Sequence, residues 1–221
     1  MSVSEAALPG AVPYPLRAAG IAGILAIVLQ IVAIAALDGV PSPYSPADLA
    51  AWHGGLTAHA DAAVVSAWTF TVGLVLLAVF ALAWPELPGV RRPGLARLGA
   101  RLFAFGALLD AAGTPAVAAV ARFLPATDPA NGPAARALLA LTLELDATFN
   151  GLLGAGLLCV AVASGPALPT WLRVLGTVAG LASLPVALQA EDARFAALLA
   201  VSGPLWLVWC GAVAVRMVRG R

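Results

Sequence analysis

The sequence predicts an all-α polytopic membrane protein, a bundle of six transmembrane helices. Three observations carry the prediction. Of the 221 residues, 62% are hydrophobic and only 10% are charged, and the mean hydropathy is +0.96. Soluble domains run at about 45–50% apolar and about 25% charged. Six apolar stretches each approach the ~20 residues a helix needs to cross a hydrocarbon core of ~30 Å. The arginines fall unequally on the two sets of flanks that these stretches define.

Residues 1–15 come first. They carry Pro9, Pro13 and Pro15, with neither a basic flank nor an apolar run. They predict an extended, mobile tail and not a signal peptide. Residues 16–221 are expected to form one transmembrane domain. Its spans are 16–37, 62–84, 95–123, 137–163, 171–189 and 195–215. Proline- and glycine-rich breaks separate most of them, at 38–45, 85–94, 125–133 and 164–169. Only helices and closed barrels satisfy their backbone in lipid. Continuous apolar runs without strict alternation select helices.

Orientation follows from arginine, since all twelve basic residues are Arg. One side holds Arg17, Arg91, Arg92, Arg97, Arg101, Arg173, Arg216, Arg219 and Arg221. The other holds Arg122, Arg136 and Arg194. The positive-inside rule then predicts both termini in the cytoplasm. A five-span reading would put Arg17 and Arg221 on opposite sides and weaken the bias. Arg without Lys in an alanine-rich chain points to a GC-rich bacterial genome, hence to the bacterial plasma (inner) membrane. Trp84, Trp171 and Tyr44, near span ends, suit an interfacial belt.

The first outer loop is the longest. Ser45-Pro46-Ala47-Asp48 reads as an N-cap, a proline at the first helical position and an acid in the first turn. It predicts a short interfacial helix to about His53, ended by Gly54-Gly55. That helix is either a lid over the outer mouth or a passive connection.

Asp110, Glu144 and Asp146 lie inside the third and fourth spans. A charge at the bilayer centre costs at least ~2.5–3.5 kcal/mol on insertion scales, and intramembrane acids usually face an interior or a wet cavity. With the span midpoints near residues 109 and 149, Asp110 lies within ~2 Å of mid-membrane. Glu144 and Asp146 lie ~7 Å and ~4 Å outward of it. The two spans are consecutive and antiparallel, so contact between them is expected.

Facing follows from the advance of ~100° per residue. Gly99, Gly106, Asp110, Gly113 and Thr114 share one stripe, and small residues there admit a neighbouring helix. Glu144, Thr148 and Gly151 form one face of the fourth span. Asp146 and Asn150 form nearly the opposite one. The Glu144 face is expected to meet Asp110, because Thr148 and Gly151 continue it as a small polar groove. The reverse assignment, with Asp146 inward, stays open.

Further polar residues, Gln30, Ser66, Thr69 and Ser202, fall from the midplane outward, with Gln189 near an outer end. This asymmetry predicts a cavity opening outward or toward the outer leaflet. Interhelical hydrogen bonds, each worth ~0.6 kcal/mol on average, are the simpler account of Gln30, Ser66, Thr69 and Ser202. His53, His59 and Asp61 are weak metal candidates. Their H-x5-H-x-D spacing matches no standard site, and a solvated loop is the simpler account. Trp206 and Trp209 in the sixth span either line an aromatic substrate pocket or pack against lipid. Thr114-Pro115, Leu184-Pro185 and Gly203-Pro204 are expected to kink three spans. Cys159 and Cys210 read as reduced packing residues. A net charge of +1 gives no reason to expect nucleic acid. There is no nucleotide loop, nucleophile elbow or H-E-x-x-H, so ATP-driven transport and common hydrolase chemistry are not expected. No cofactor is implied.

Three segments resemble a broad group of small bacterial six-span integral membrane proteins. They are Ser45-Pro46-Ala47-Asp48-Leu49-Ala50-Ala51-Trp52, Leu168-Pro169-Thr170-Trp171-Leu172-Arg173-Val174-Leu175-Gly176 and Pro204-Leu205-Trp206-Leu207-Val208-Trp209. The resemblance implies a fold and a membrane location, and no activity. The acids exceed what such a scaffold needs.

Two functions are therefore expected as alternatives. One is a membrane-embedded enzyme with Asp110, Glu144 and Asp146 as acid–base groups. It would cyclise or isomerise a lipophilic small molecule such as an isoprenoid. Thr114, Thr148, Asn150, Gln30, Trp206 and Trp209 would line its substrate site. Integral-membrane terpene cyclases look like a chemical precedent, by analogy only. The other is a proton-coupled small-molecule carrier, which with six spans would need a homodimer, or an accessory or regulatory membrane subunit.

Overall fold

The computed structural model describes residues 14–40 and 48–220. Among these residues the chain is helical throughout, with no strand. Eight α-helices follow in order: α1 (Tyr14–Ala36), α2 (Leu49–Ala58), α3 (Ala60–Leu82), α4 (Pro93–Phe123), α5 (Gly132–Ala163), α6 (Thr170–Ser183), α7 (Ala193–Ala196) and α8 (Leu199–Arg219). A 3-10 turn, Leu184–Leu188, extends α6. The described segments include six helices long and apolar enough to span a membrane, α6 counting with its extension. The chain is a multi-pass membrane protein.

Local chemistry fixes the helix ends. Pro93 opens α4 at a position where no N–H is needed. Gly220, at φ 69°, closes α8 in the left-handed conformation. The three prolines expected to kink spans do not all behave alike. Pro115 and Pro204 sit inside continuous α-helices. Only Pro185 changes the helix type, at the start of the 3-10 extension.

The helix α2 overturns the expected stop at Gly54-Gly55. It runs through both glycines to Ala58. Leu49, Trp52, His53 and Leu56 form a buried stripe at helical spacing, packed among Ala63, Val117, Val120 and Leu139. The Thr57 hydroxyl donates back to the His53 and Gly54 carbonyls. Burial of that stripe outweighs the ~0.5–1 kcal/mol that each glycine costs in a helix. The proposed N-cap, Ser45-Pro46-Ala47, lies outside the described residues, as do Tyr44 and most of the tail.

Small residues bring the spans together. A Cβ at Gly99 would lie 2.6 Å from the Gly156 carbonyl oxygen, and one at Gly156 would lie 2.7 Å from the Gly99 carbonyl oxygen. The same close approach joins α5 to α6 at Gly154 and Gly180, and α1 to α8 at Gly20 and Ala214. Lipid supplies little hydrophobic drive between helices, so such contacts do the joining. They also place the start of α1 beside the end of α8, at the end of the bundle that holds most of the arginines.

That arginine-rich end is filled by aromatic rings. Trp84 stacks edge-on with Phe80, Phe103 and Trp209 at centroid distances of 5.4, 4.8 and 5.0 Å. Trp84 is therefore a core residue and not part of an interfacial belt; it is fully buried. Trp171, 57% exposed, keeps the surface position expected of it. Both cysteines are free.

Candidate functional site

The opposite half of the bundle, toward α2, is looser and more polar. Asp110 stands on the inward stripe of α4, 3% exposed, and Gly99, Gly106, Gly113 and Thr114 are buried with it. The Thr114 hydroxyl donates to the Asp110 main-chain carbonyl at 2.9 Å. That bond occupies the hydroxyl within its own helix. The Asp110 Oδ2 is buried without a hydrogen-bond partner.

Asp146 of α5 meets Asp110. The two residues line one cavity of about 370 Å³ together with Ser66, Phe70, Thr114 and Thr142. Gln189 donates its amide to Asp146 Oδ2 at 2.5 Å. Asn150 donates to the Asp146 main-chain carbonyl at 2.9 Å. Asp146 is thus held by the turn between the last two spans, while Asp110 is held only by its helix.

The expected Glu144 face is turned away. Glu144 and Thr148 are exposed, and the Thr148 hydroxyl bonds to the Glu144 main-chain carbonyl within the helix. The inward stripe of α5 runs instead through Asp146, Asn150, Leu153, Leu157 and Val160. Its four large members below Asp146 are all buried. Glu144 lies about 200° away from Asp146 around the axis. Burying the leucines on that stripe exposes Glu144. Gly151, expected to continue a polar groove, lies against Ala187 instead.

A second cavity of about 700 Å³ adjoins the first. It shares Ile34, Phe70, Asp146 and Leu199 with it and is floored by Phe149, Asn150 and Trp206. Gln30 lines it, 2% exposed, with its amide nitrogen unpartnered. Trp206 belongs to this space. Trp209 does not: its indole N–H donates to the Leu172 carbonyl at 2.9 Å, and its ring covers Gly176. Ser66 acts as an interhelical bond, donating to the Ala33 carbonyl at 2.8 Å. Ser202 is buried with no partner.

The weak metal candidates do not converge. His53 Nε2 is bonded to the Leu124 carbonyl at 2.7 Å, while His59 and Asp61 are exposed. Among the described residues no three metal-ligating side chains stand together.

Sequence reasoning missed two members of the site. Thr142 donates to the Gly113 carbonyl at 3.3 Å, and its i, i+4 relation to Asp146 was a readable signal. Gln189 was legible only as a polar residue near an outer end; its reach to Asp146 had no local signal, because the 3-10 extension that delivers it follows from packing. No protein-family model matches this chain, no curated protein matches it in sequence, and no solved structure matches it.

Proposed function

We propose that the chain is a membrane-embedded enzyme that uses paired acids to cyclise or isomerise a lipophilic small molecule, such as an isoprenoid, in a bacterial plasma membrane. One observation carries this reading. Asp110 and Asp146 meet in a largely apolar cavity whose other polar lining groups are neutral, with no basic side chain among the described residues that line it. Two acids in such a layer share one proton at lower free-energy cost than they hold two charges.

Their surroundings support a division of roles. Gln189 donates to Asp146, which suits a carboxylate and the role of base. Asp110, with an unpartnered oxygen, suits the proton-bearing acid. Asp110 gives its proton to an alkene carbon, whose π pair becomes the new C–H bond. The neighbouring carbon becomes cationic, near the Asp146 carboxylate and the faces of Phe149 and Trp206. Loss of an adjacent proton to Asp146, either at once or after a second π bond has closed a ring onto that carbon and moved the positive charge, yields a neutral product of unchanged formula. Return of the proton from Asp146 to Asp110 resets the pair. No oxidant or reductant is required.

A carrier reading has the aromatic cluster against it. Below Phe149 and Trp206, the rings of Phe103, Trp84 and Trp209 fill the arginine-rich half.

The test is turnover of isoprenoid alcohols, epoxides and polyenes by the full chain in nanodiscs in heavy water. The expected product is an isomer that carries a deuteron. Asp110→Asn and Asp146→Asn should each lose it while still inserting and folding. Full turnover by both variants would overturn the reading.

A further inference from the structure

The larger cavity has a way in from the side. α1 and α8 cross tightly near the arginine-rich end, where a Cβ at Gly20 would lie 2.7 Å from the Ala214 carbonyl oxygen and one at Gly23 would lie 3.0 Å from the Ala214 side chain. Toward the other end they diverge, and both line the cavity, through Gln30 and Ile34 on α1 and Ala200, Gly203 and Leu207 on α8. Ile34 is 61% exposed, and a Cβ at Gly203 would meet nothing within 4 Å. The gap therefore faces the lipid beside the bundle. Its volume, about 700 Å³, falls within the ~300–1,000 Å³ of small-molecule sites.

The polar groups in this gap are selective. The Gln30 amide nitrogen is a buried donor without an acceptor, and such a group carries a desolvation cost until something bonds to it. Pro204 has no N–H to offer the Ala200 carbonyl one turn back, and Ala200 lines the same cavity as Gln30. Two carboxyl groups, Asp110 and Asp146, line the connected space, and no cation joins them among the described lining residues. A phosphate or carboxylate head would meet acids there and no counter-charge. A hydroxyl accepts from Gln30, donates to a carbonyl, and carries no charge.

We infer that the cleft between α1 and α8 admits an uncharged, hydroxyl-bearing lipid sideways from the bilayer, with its oxygen on the Gln30 amide and its chain along Phe149, Trp206 and Leu207. This rests on the reading above for what happens next, and it names the substrate class of that site. Diphosphate and fatty-acid substrates are excluded by it.

Photolabelling of the full chain in nanodiscs tests it without turnover. The probes are a diazirine-bearing long-chain alcohol and the matching carboxylic acid and phosphate monoester. The alcohol should label segments 27–37 and 197–207, and farnesol should compete. Gln30→Leu should lower labelling about fivefold, the worth of one hydrogen bond. Gly203→Leu adds a side chain where no other segment lies within 4 Å of its Cβ, so in preparations shown to be folded it should narrow the cleft and block labelling. Asp110→Asn should label normally even where turnover is lost. Equal labelling by the acid or the phosphate, labelling unchanged in Gly203→Leu, or labels confined to other helices would overturn the inference. Labelling as expected with no turnover of any substrate would instead overturn the enzymatic reading alone.

Discussion

Gln189 reaches from the end of the fifth span to Asp146 on the fourth and donates to its carboxyl at 2.5 Å. The bond ties the turn before α7 to the acid pair. Gln189→Leu should therefore act twice. It removes a hydrogen bond to a half-buried acid, which costs about 1–3 kcal/mol, read as a lower midpoint of unfolding in detergent. It also leaves Asp146 unsupported as a base, so turnover should fall more than stability does. Gln189→Glu should lower turnover too, since it puts a third acid where a donor stood.

Acid–base roles predict separable losses. Asp110→Asn and Asp146→Asn should each lower turnover about 10²–10⁴-fold, the usual worth of a positioned acid or base. Glu144→Gln should stay within about twofold, because Glu144 is exposed on the far face of α5 and surface changes are usually small. Turnover assays on matched, folded preparations decide it.

Glycines divide by what surrounds them. Gly99→Val and Gly156→Val insert side chains where a Cβ alone would lie 2.6 and 2.7 Å from a carbonyl oxygen. Each should destabilise by about 1–3 kcal/mol or more, seen as loss of the folded fraction in detergent titration. Gly54→Ala meets open space inside α2 and should stabilise that helix by about 0.5–1 kcal/mol.

His53 fastens α2 to the end of α4 through the Leu124 carbonyl at 2.7 Å. His53→Ala should loosen α2 by about 1 kcal/mol. Faster amide exchange across 49–58 with little change in α5 is the expected pattern. Trp52, on the same helix, lines the smaller cavity, so quenching of its fluorescence by water-soluble quenchers should rise in parallel.

The turn before α8 has its own pH response. Arg194 donates from its side chain and its main-chain N–H to Asp192, at 2.6 to 3.1 Å, and holds that carboxyl below its ordinary range. A lowered folded pKa means that the pair supports the turn while Asp192 is ionised, above its unfolded value of about 3.9. The support is lost as pH falls through the lower folded value. Exchange protection at 193–197 should hold from neutrality to about pH 5 and decline below about pH 4. In Asp192→Ala it should be low throughout. Global stability should barely move, because the pair is exposed to water.

The sequence by itself determined the six helices, their limits to within a few residues, and the inward stripe of α4. Hydropathy and proline are local signals, and backbone bonding in lipid leaves the helix as the only answer for such runs. It also located the polar half of the bundle. Only the tertiary structure decided which fourth-span acid meets Asp110. Glu144 and Asp146 are two residues apart, and each heads a plausible polar face. The choice fell to the leucines of α5, whose burial against α4 and α6 turned Asp146 inward. The same holds for Gln189, Trp84 and Gly54-Gly55. In each, a contact from a distant segment outweighed a local preference.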